Sequence, residues 1–307
     1  MDNVLDGIEK RTEVIPEFSG KCVLNVEKQG EEILFDGIDN EILDQKVEKD
    51  TKYNNGNNKN SNNNNFLKQD MRTVYVEELK QKEFEEKIKK YFDLDRDYKE
   101  IKKELAKVDE NLKNSIEYGS GIRILNQDLF ETIISFIISA NNNIPRIKGI
   151  IERICKNYGE EIEFRGKTYY SFPTPEELSK ASVQDFRSLG LGFRDVRVYN
   201  TTQKIAKGEF NIEKLYGLST EDAANELLTL DGVGPKVCDC ILLFSDLKRF
   251  DVFPIDVWVR RVMNELYIHE EDEKKVNKKD IKKLADEKFG SLEGIAQQYL
   301  FYWKREA

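Results

Sequence analysis

Between residues 21 and 37 apolar and polar positions alternate, in KCVLNVEKQGEEILFDG, with a Gln-Gly break separating two strand-like runs. A period of two gives a sheet one apolar face, so this stretch predicts an antiparallel β-hairpin. MRTVYVEEL, residues 71–79, returns to strand character. The stretch between them, DTKYNNGNNKNSNNNNFLKQD, has too few apolar side chains for a packed core and reads as a surface insertion near residues 51–65. From YFDLDRDYKEIKKELAKVDENLKNSI onward, apolar residues recur every three or four positions and strand signals nearly vanish. Thr174, Pro175 and Glu177 supply an N-cap, a first-turn proline and a capping-box acid, and Ser219 with Asp222 repeats the pattern. The expected fold is α+β: a small N-terminal antiparallel sheet domain over residues 1–97, followed by an all-α domain over 98–307.

Composition narrows the class. A chain of 307 residues, 39% apolar and 10% aromatic, can bury two ordinary cores. It has no apolar run near the roughly eighteen residues of a membrane span, and its first ten residues lack a signal-peptide pattern. Cys22, Cys155, Cys238 and Cys240 are too few and too irregularly spaced for a disulfide framework or a structural zinc site, and the single histidine, His269, lies in a charged stretch. A soluble protein of the reducing cytoplasm is expected. The net charge of −9 is local: residues 1–50 hold 6 Lys/Arg against 14 Asp/Glu, and residues 121–307 hold 28 against 30. A nearly neutral C-terminal part can still present a basic face to phosphate.

Candidate chemistry concentrates between residues 226 and 267, in ELLTLDGVGPKVCDCILLFSDLKRFDVFPIDVWVRRVMNELY. Its start reads as helix, tight turn, helix, with Gly232, Val233 and Gly234 in the turn and Pro235 at the first helical position. Glycines allow close backbone approach, and the unpaired amides of a helix N-terminus suit a phosphate. An ordinary helix-turn-helix corner would show the same pattern. Lys236 is read as one turn into that second helix, where the positive end of the dipole disfavours its charged form and favours a nucleophilic amine. Asp256, in FPIDVWVRR, falls at a helix start, as an N-cap, as a catalytic carboxylate or as both.

LDGVGPKVCDC followed by PIDVWVRR resembles the helix-hairpin-helix, Gly-Pro-Asp superfamily of DNA glycosylases. Within it, YFDLDRDY, GIRILNQDLFETIISFIISANNNIPRI, LGLGFRDVRVY and GIAQQYLFYW resemble the 8-oxoguanine DNA glycosylases. The resemblance covers most of residues 90–307 and implies that Lys236 is the nucleophile and Asp256 its carboxylate partner. It also implies that Cys240 and Phe301 sandwich the oxidised base while Gln297 reads its pairing edge. Asn141 would fill the gap left by the expelled nucleotide, Arg146 and Arg194 would hold the orphaned cytosine, and Phe193 would wedge beside it. On residue pattern alone, ANNNIPR reads as a helix-ending turn, Arg194 as a solvated cation, and Phe301 as core packing.

The implied activity is excision of 8-oxoguanine opposite cytosine, with Schiff-base lyase chemistry on a flipped nucleotide, in base excision repair. The implied partner is double-stranded DNA carrying oxidised guanine, met by a monomer without a membrane or a required cofactor. A potassium or sodium ion at the backbone carbonyls of Leu228, Leu230 and Val233 is the one ion the resemblance implies. The iron–sulfur cysteines of one superfamily branch are missing, since no cysteine follows Cys240. Two departures stand out. No Gly-Gln-x-Phe-Arg-Trp-like strand precedes Lys21, which reads as an incomplete sheet domain, and Trp258 stands where animal members carry histidine. The alternatives are a glycosylase of other damaged purines, such as alkylated ones, which lack the lysine, and a non-catalytic hairpin module that binds DNA.

Overall fold

The structure, a computed structural model, describes the strand segments 11–15, 22–29 and 32–39 and residues 86–306 apart from 165, 273 and 274. Strands β1 (Arg11–Ile15), β2 (Cys22–Gln29) and β3 (Glu32–Asp39) form an antiparallel sheet in that order. Gln29 pairs with Glu32 across the expected Gln-Gly break. The Asn-rich stretch and MRTVYVEEL lie outside the described residues.

Helices dominate the rest, and most begin where a short polar side chain accepts an otherwise unpaired amide. Helix α1 (Tyr98–Leu105) is capped by Asp97, α2 (Glu110–Tyr118) by Asp109, α3 (Leu129–Ser139) by Asp128 and α4 (Ile144–Tyr158) by Asn143. The expectation of an all-α remainder needs one correction. Strands β4 (Glu161–Phe164) and β5 (Lys167–Tyr170) pair antiparallel around Gly166, whose φ of +72° is the left-handed geometry a two-residue hairpin turn demands. Four residues per strand carry too short an alternation to stand out between long helical periods.

Next come α5 (Pro175–Leu178) behind the Thr174–Glu177 capping box and α6 (Val183–Ser188) behind a similar Ser182–Asp185 box. Helix α7 (Asp195–Ala206) and α8 (Thr220–Leu227, capped by Ser219) precede α9 (Pro235–Phe244) and α10 (Val257–Met263), and α11 (Lys278–Phe289) and α12 (Glu293–Glu306) close the chain. Helix α3 is the hub. Leu129, Phe130, Ile133, Ile134, Ile137 and Ile138 are all buried, so its apolar surface is far wider than one stripe and it packs against α4, α7 and α9. Helix α9 buries Val237, Cys238 and Cys240–Leu243 and leaves its first turn at the edge of that core.

Candidate active site

The α8–α9 turn is the pivot of the site. Gly232 has φ +90°, and a Cβ there would lie 2.9 Å from Ile137 Cγ2 and 3.1 Å from Arg197 Cβ, so both conformation and space require glycine. The Val233 N–H donates to the Leu230 carbonyl (3.2 Å) and closes the turn. Gly234 is the N-cap of α9 and offers no side chain to its amides, which are left for an external acceptor. Lys236 is the second residue of α9, closer to these amides than the full turn expected from the sequence. It is half-buried, with Nζ 5.6 Å from the centroid of Phe136, a ring stacked on Phe244.

Asp256 follows the buried run Val252–Ile255 and caps α10, its Oδ1 accepting the Val259 N–H at 2.8 Å. Cys240 stands four positions after Lys236 on α9. Burial pushes the Cys240 thiol up to about 11; the charge and hydrogen bonding of Lys236 pull it back, and Asp239 and Asp256 raise it. One thiol therefore lies within electrostatic reach of both chemically expected groups. Gln297 is buried on α12, and its Nε2 donates to the Pro254 carbonyl, which draws α12 against the segment leading into Asp256. Its Oε1 accepts from Gln298 Nε2 (3.2 Å). Phe301, one turn further on, is half-buried with the Arg305 guanidinium 5.7 Å from its ring. Trp258 is 57% exposed and carries the Arg261 guanidinium 5.0 Å from its centroid.

A second group of residues lies beyond the C-terminus of α3. Asn141 has φ +50°, left-handed for a non-glycine residue, and its side chain belongs to an exposed residue. Asn143 caps α4 by accepting the Arg146 N–H (3.0 Å), while exposed Arg146 donates Nη2 to the Gly190 carbonyl (3.1 Å). Phe193 is 57% exposed in the short 3₁₀ turn Gly192–Arg194. Arg194 is enclosed by backbone carbonyls. It is only 1% exposed, and it donates Nε and Nη2 to the Ala140 carbonyl, Nη2 to the Asn141 carbonyl (2.6 Å) and Nη1 to the Leu191 carbonyl (3.3 Å). Burial, with the charges of Arg146 and Arg197, holds its pKa below that of an ordinary arginine.

Two residues here escaped the sequence reading. Arg153 donates Nε to the Leu189 carbonyl (2.8 Å) and lies seven positions after Arg146, a two-turn helical spacing that could have paired them. Phe136, beneath the Lys236 amine, carried no local signal, since a hundred residues separate the two.

Residues 21–133 match the family model for the N-terminal domain of 8-oxoguanine DNA glycosylase. Residues 134–287 match that of HhH-GPD superfamily base excision DNA repair proteins. The chain belongs to the 8-oxoguanine DNA glycosylase family of that superfamily. A probable N-glycosylase/DNA lyase of Methanothermobacter thermautotrophicus is 35% identical to this glycosylase over 247 residues, covering 74% of the chain and 77% of the relative. The N-glycosylase/DNA lyase of Saccharomyces cerevisiae is 42% identical over 159 residues, 48% of the chain and 42% of the relative. The Clostridium acetobutylicum 8-oxoguanine glycosylase/lyase in its apo form superposes with TM-score 0.75 at 38% identity, covering 96% and 85% of the two chains. The same enzyme with double-stranded DNA containing cytosine opposite 8-oxoguanine gives 0.74 at 38%, covering 97% and 85%. The N-terminal family match begins at Lys21, where the alternating pattern also begins.

Proposed function

We propose that this glycosylase excises 8-oxoguanine paired with cytosine and then nicks the strand as an AP lyase, with Lys236 as nucleophile and Asp256 as its carboxylate partner. The observation that carries the reading is the first turn of α9. There the Lys236 amine stands at a helix N-terminus over the Phe136 ring, and the buried Cys240 thiol, four positions further along the helix, feels the charge of both it and Asp256. A flipped nucleotide entering between α9 and α12 would meet these groups together.

The unprotonated Lys236 amine attacks C1′ of the flipped nucleotide and the oxidised purine leaves with the bonding electrons of the glycosidic bond. Ring opening of the resulting aminosugar gives a Schiff base to Lys236, and loss of the C2′ proton then expels the 3′ phosphate by β-elimination. Asp256 stabilises the positive charge that develops on the sugar during the first step. Cys240 and Phe301 supply the faces between which the base stacks, and Gln297 exchanges its Gln298 contact for the pairing edge of the base. Gly232, Val233 and Gly234 hold a backbone phosphate at the amides of α9. Asn141 and Phe193 fill the space the nucleotide leaves, and Arg146 and Arg194 hold the orphaned cytosine. The carbonyls of Leu228, Leu230 and Val233 are hard oxygen donors suited to a potassium or sodium ion that would order the turn, although the Leu230 carbonyl already accepts the Val233 N–H.

The test is borohydride trapping on a duplex containing one 8-oxoguanine·cytosine pair. Wild type should release the base and leave a covalent protein–DNA adduct. Lys236→Gln should do neither while binding the same duplex, because the nucleophile is lost and the phosphate contacts are not. Trapping retained in Lys236→Gln refutes the assignment.

A further inference from the structure

We propose that Arg153 is a positioning residue for recognition of the opposite base: it fixes the Leu189–Gly190 peptide, so that the Gly190 carbonyl holds the Arg146 guanidinium in place. The inference rests on the reading above that Arg146 is one of the two arginines that hold the orphaned cytosine.

Arg153 follows Arg146 by seven positions on α4, two helical turns, so both side chains leave the same face of the helix. That face meets the end of α6. Leu189 closes α6, and Gly190 then turns left-handed at φ +91°, its N–H donating to the Arg187 carbonyl (3.0 Å) while the Leu191 N–H donates to Phe186 (3.2 Å). A glycine in this conformation just past the last turn is a common way to end a helix. The next two carbonyls accept from α4: Leu189 from Arg153 Nε (2.8 Å) and Gly190 from Arg146 Nη2 (3.1 Å).

Two glycines make room for Arg153. A Cβ on Gly149 would lie 3.2 Å from Arg153 Nη1 and one on Gly190 would lie 3.0 Å from Nη2, so the guanidinium fits between them. Gly149 stands inside α4, where glycine weakens a helix, and the seat it leaves for Arg153 accounts for its presence. Gly190 matters for a different reason. Its torsions are loosely restricted for want of a Cβ, so its carbonyl is a fixed point only if the chain on either side is held. Leu191 is buried on one side, and Arg153 holds the Leu189 carbonyl on the other. Arg146 depends on that fixed point because it is exposed, and a long side chain that must be ordered on meeting a base loses part of the contact energy to that ordering. Arg153 is exposed as well, so its hold is that of one charged hydrogen bond rather than of a core contact.

The experiment measures single-turnover excision on four duplexes that differ only in the base opposite 8-oxoguanine, with duplex affinity at two salt concentrations and a thermal melt. The proteins are wild type, Arg146→Ala, Arg153→Ala, Arg153→Met, Arg153→Lys and the Arg146→Ala/Arg153→Ala double variant. Arg153→Ala should narrow the preference for cytosine by about two- to tenfold, the size of one hydrogen bond's net contribution, and leave the salt dependence of binding unchanged. Arg153→Met keeps the length of the side chain without a donor, should match the alanine variant, and carries the comparison if that variant does not fold. Arg153→Lys keeps the charge and a donor for the Leu189 carbonyl and should retain more of the preference than either. The double variant should narrow the preference by less than the product of the two single effects. An equal loss on all four duplexes with a shallower salt dependence makes Arg153 a phosphate contact and overturns the inference. So does a lowered melting temperature with the preference intact, and so does a multiplicative effect in the double variant. Wild-type inactivity, or an unchanged preference in Arg146→Ala, overturns the reading of the site together with this inference, whereas the preceding outcomes overturn this one alone.

Discussion

Asp256 caps a helix and is also proposed to stabilise charge, and one substitution separates the two roles. Its Oδ1 accepts the Val259 N–H at 2.8 Å, which an asparagine amide oxygen can do equally well, and Asn and Asp are comparable N-caps. Asp256→Asn therefore loses only the interaction of the charge with the helix dipole, about 0.3–1 kcal/mol. For a helical domain of this size that is at most roughly 4 °C in Tm. The rate should respond on a different scale. An oriented group that stabilises transition-state charge in a partly dry site contributes about 3–4 kcal/mol, so excision should fall roughly 10²–10³-fold. Asp256→Ala removes the cap as well and should add a stability loss of about 0.5–2 kcal/mol without a comparable further loss of rate. Thermal unfolding followed by circular dichroism, with single-turnover excision normalised to folded protein, reads both quantities. If Asp256→Asn keeps its rate within about threefold of wild type, the residue is a cap and nothing more, and the mechanism above is wrong.

Three other substitutions test the surrounding structure. Arg146→Ala should narrow the preference for cytosine over other opposite bases by about 1–3 kcal/mol; an equal loss on all four duplexes, with a shallower salt dependence, would make it a backbone contact instead. Gly232→Ala should lower Tm, since φ +90° adds about 1–2 kcal/mol of backbone strain and the 2.9 Å approach to Ile137 adds about 1–3 kcal/mol of overpacking; a wild-type melting curve refutes the turn geometry. Glu293, 1% exposed, has a carboxyl pushed up to about 7 by burial and partly restrained by Lys282 at 2.7 Å. It holds its proton more tightly folded than unfolded, so its contribution is full at low pH and is lost as pH rises through about 7. Tm should therefore fall between about pH 5 and pH 8, and Glu293→Gln should flatten that slope, whereas an unchanged slope excludes Glu293 as its source.

Much of the site was legible in the chain because its signals act over a few residues. A polar residue before a helical period announces a cap, and Thr174, Ser219 and Asp256 all serve as caps. Gly-Val-Gly-Pro announces a turn followed by a helix start, which is how α9 begins and where Lys236 stands. Alternation at residues 21–37 announced paired strands, and β2 and β3 pair there. The β4–β5 hairpin escaped because four residues per strand barely establish a period.

The remaining features depend on segments that meet only after folding. Lys236 over Phe136, the charge of Asp256 felt at the Cys240 thiol, and Gln297 donating to Pro254 each join positions from 16 to 100 residues apart. Arg194 shows the difference most clearly. As a residue in a sequence it is a basic side chain beside an aromatic, and solvent exposure is its expected state. Packing of the α3 terminus against the Gly190–Gly192 loop surrounds it with backbone carbonyls from both, and their need for donors decides its surroundings. The sequence by itself determined which helices form, where they start and which residues could do chemistry, because those properties depend on contacts within one turn. Only the tertiary structure decided which of those residues meet and which donors remain for DNA, because buried polar groups must be paired by whatever the fold brings beside them.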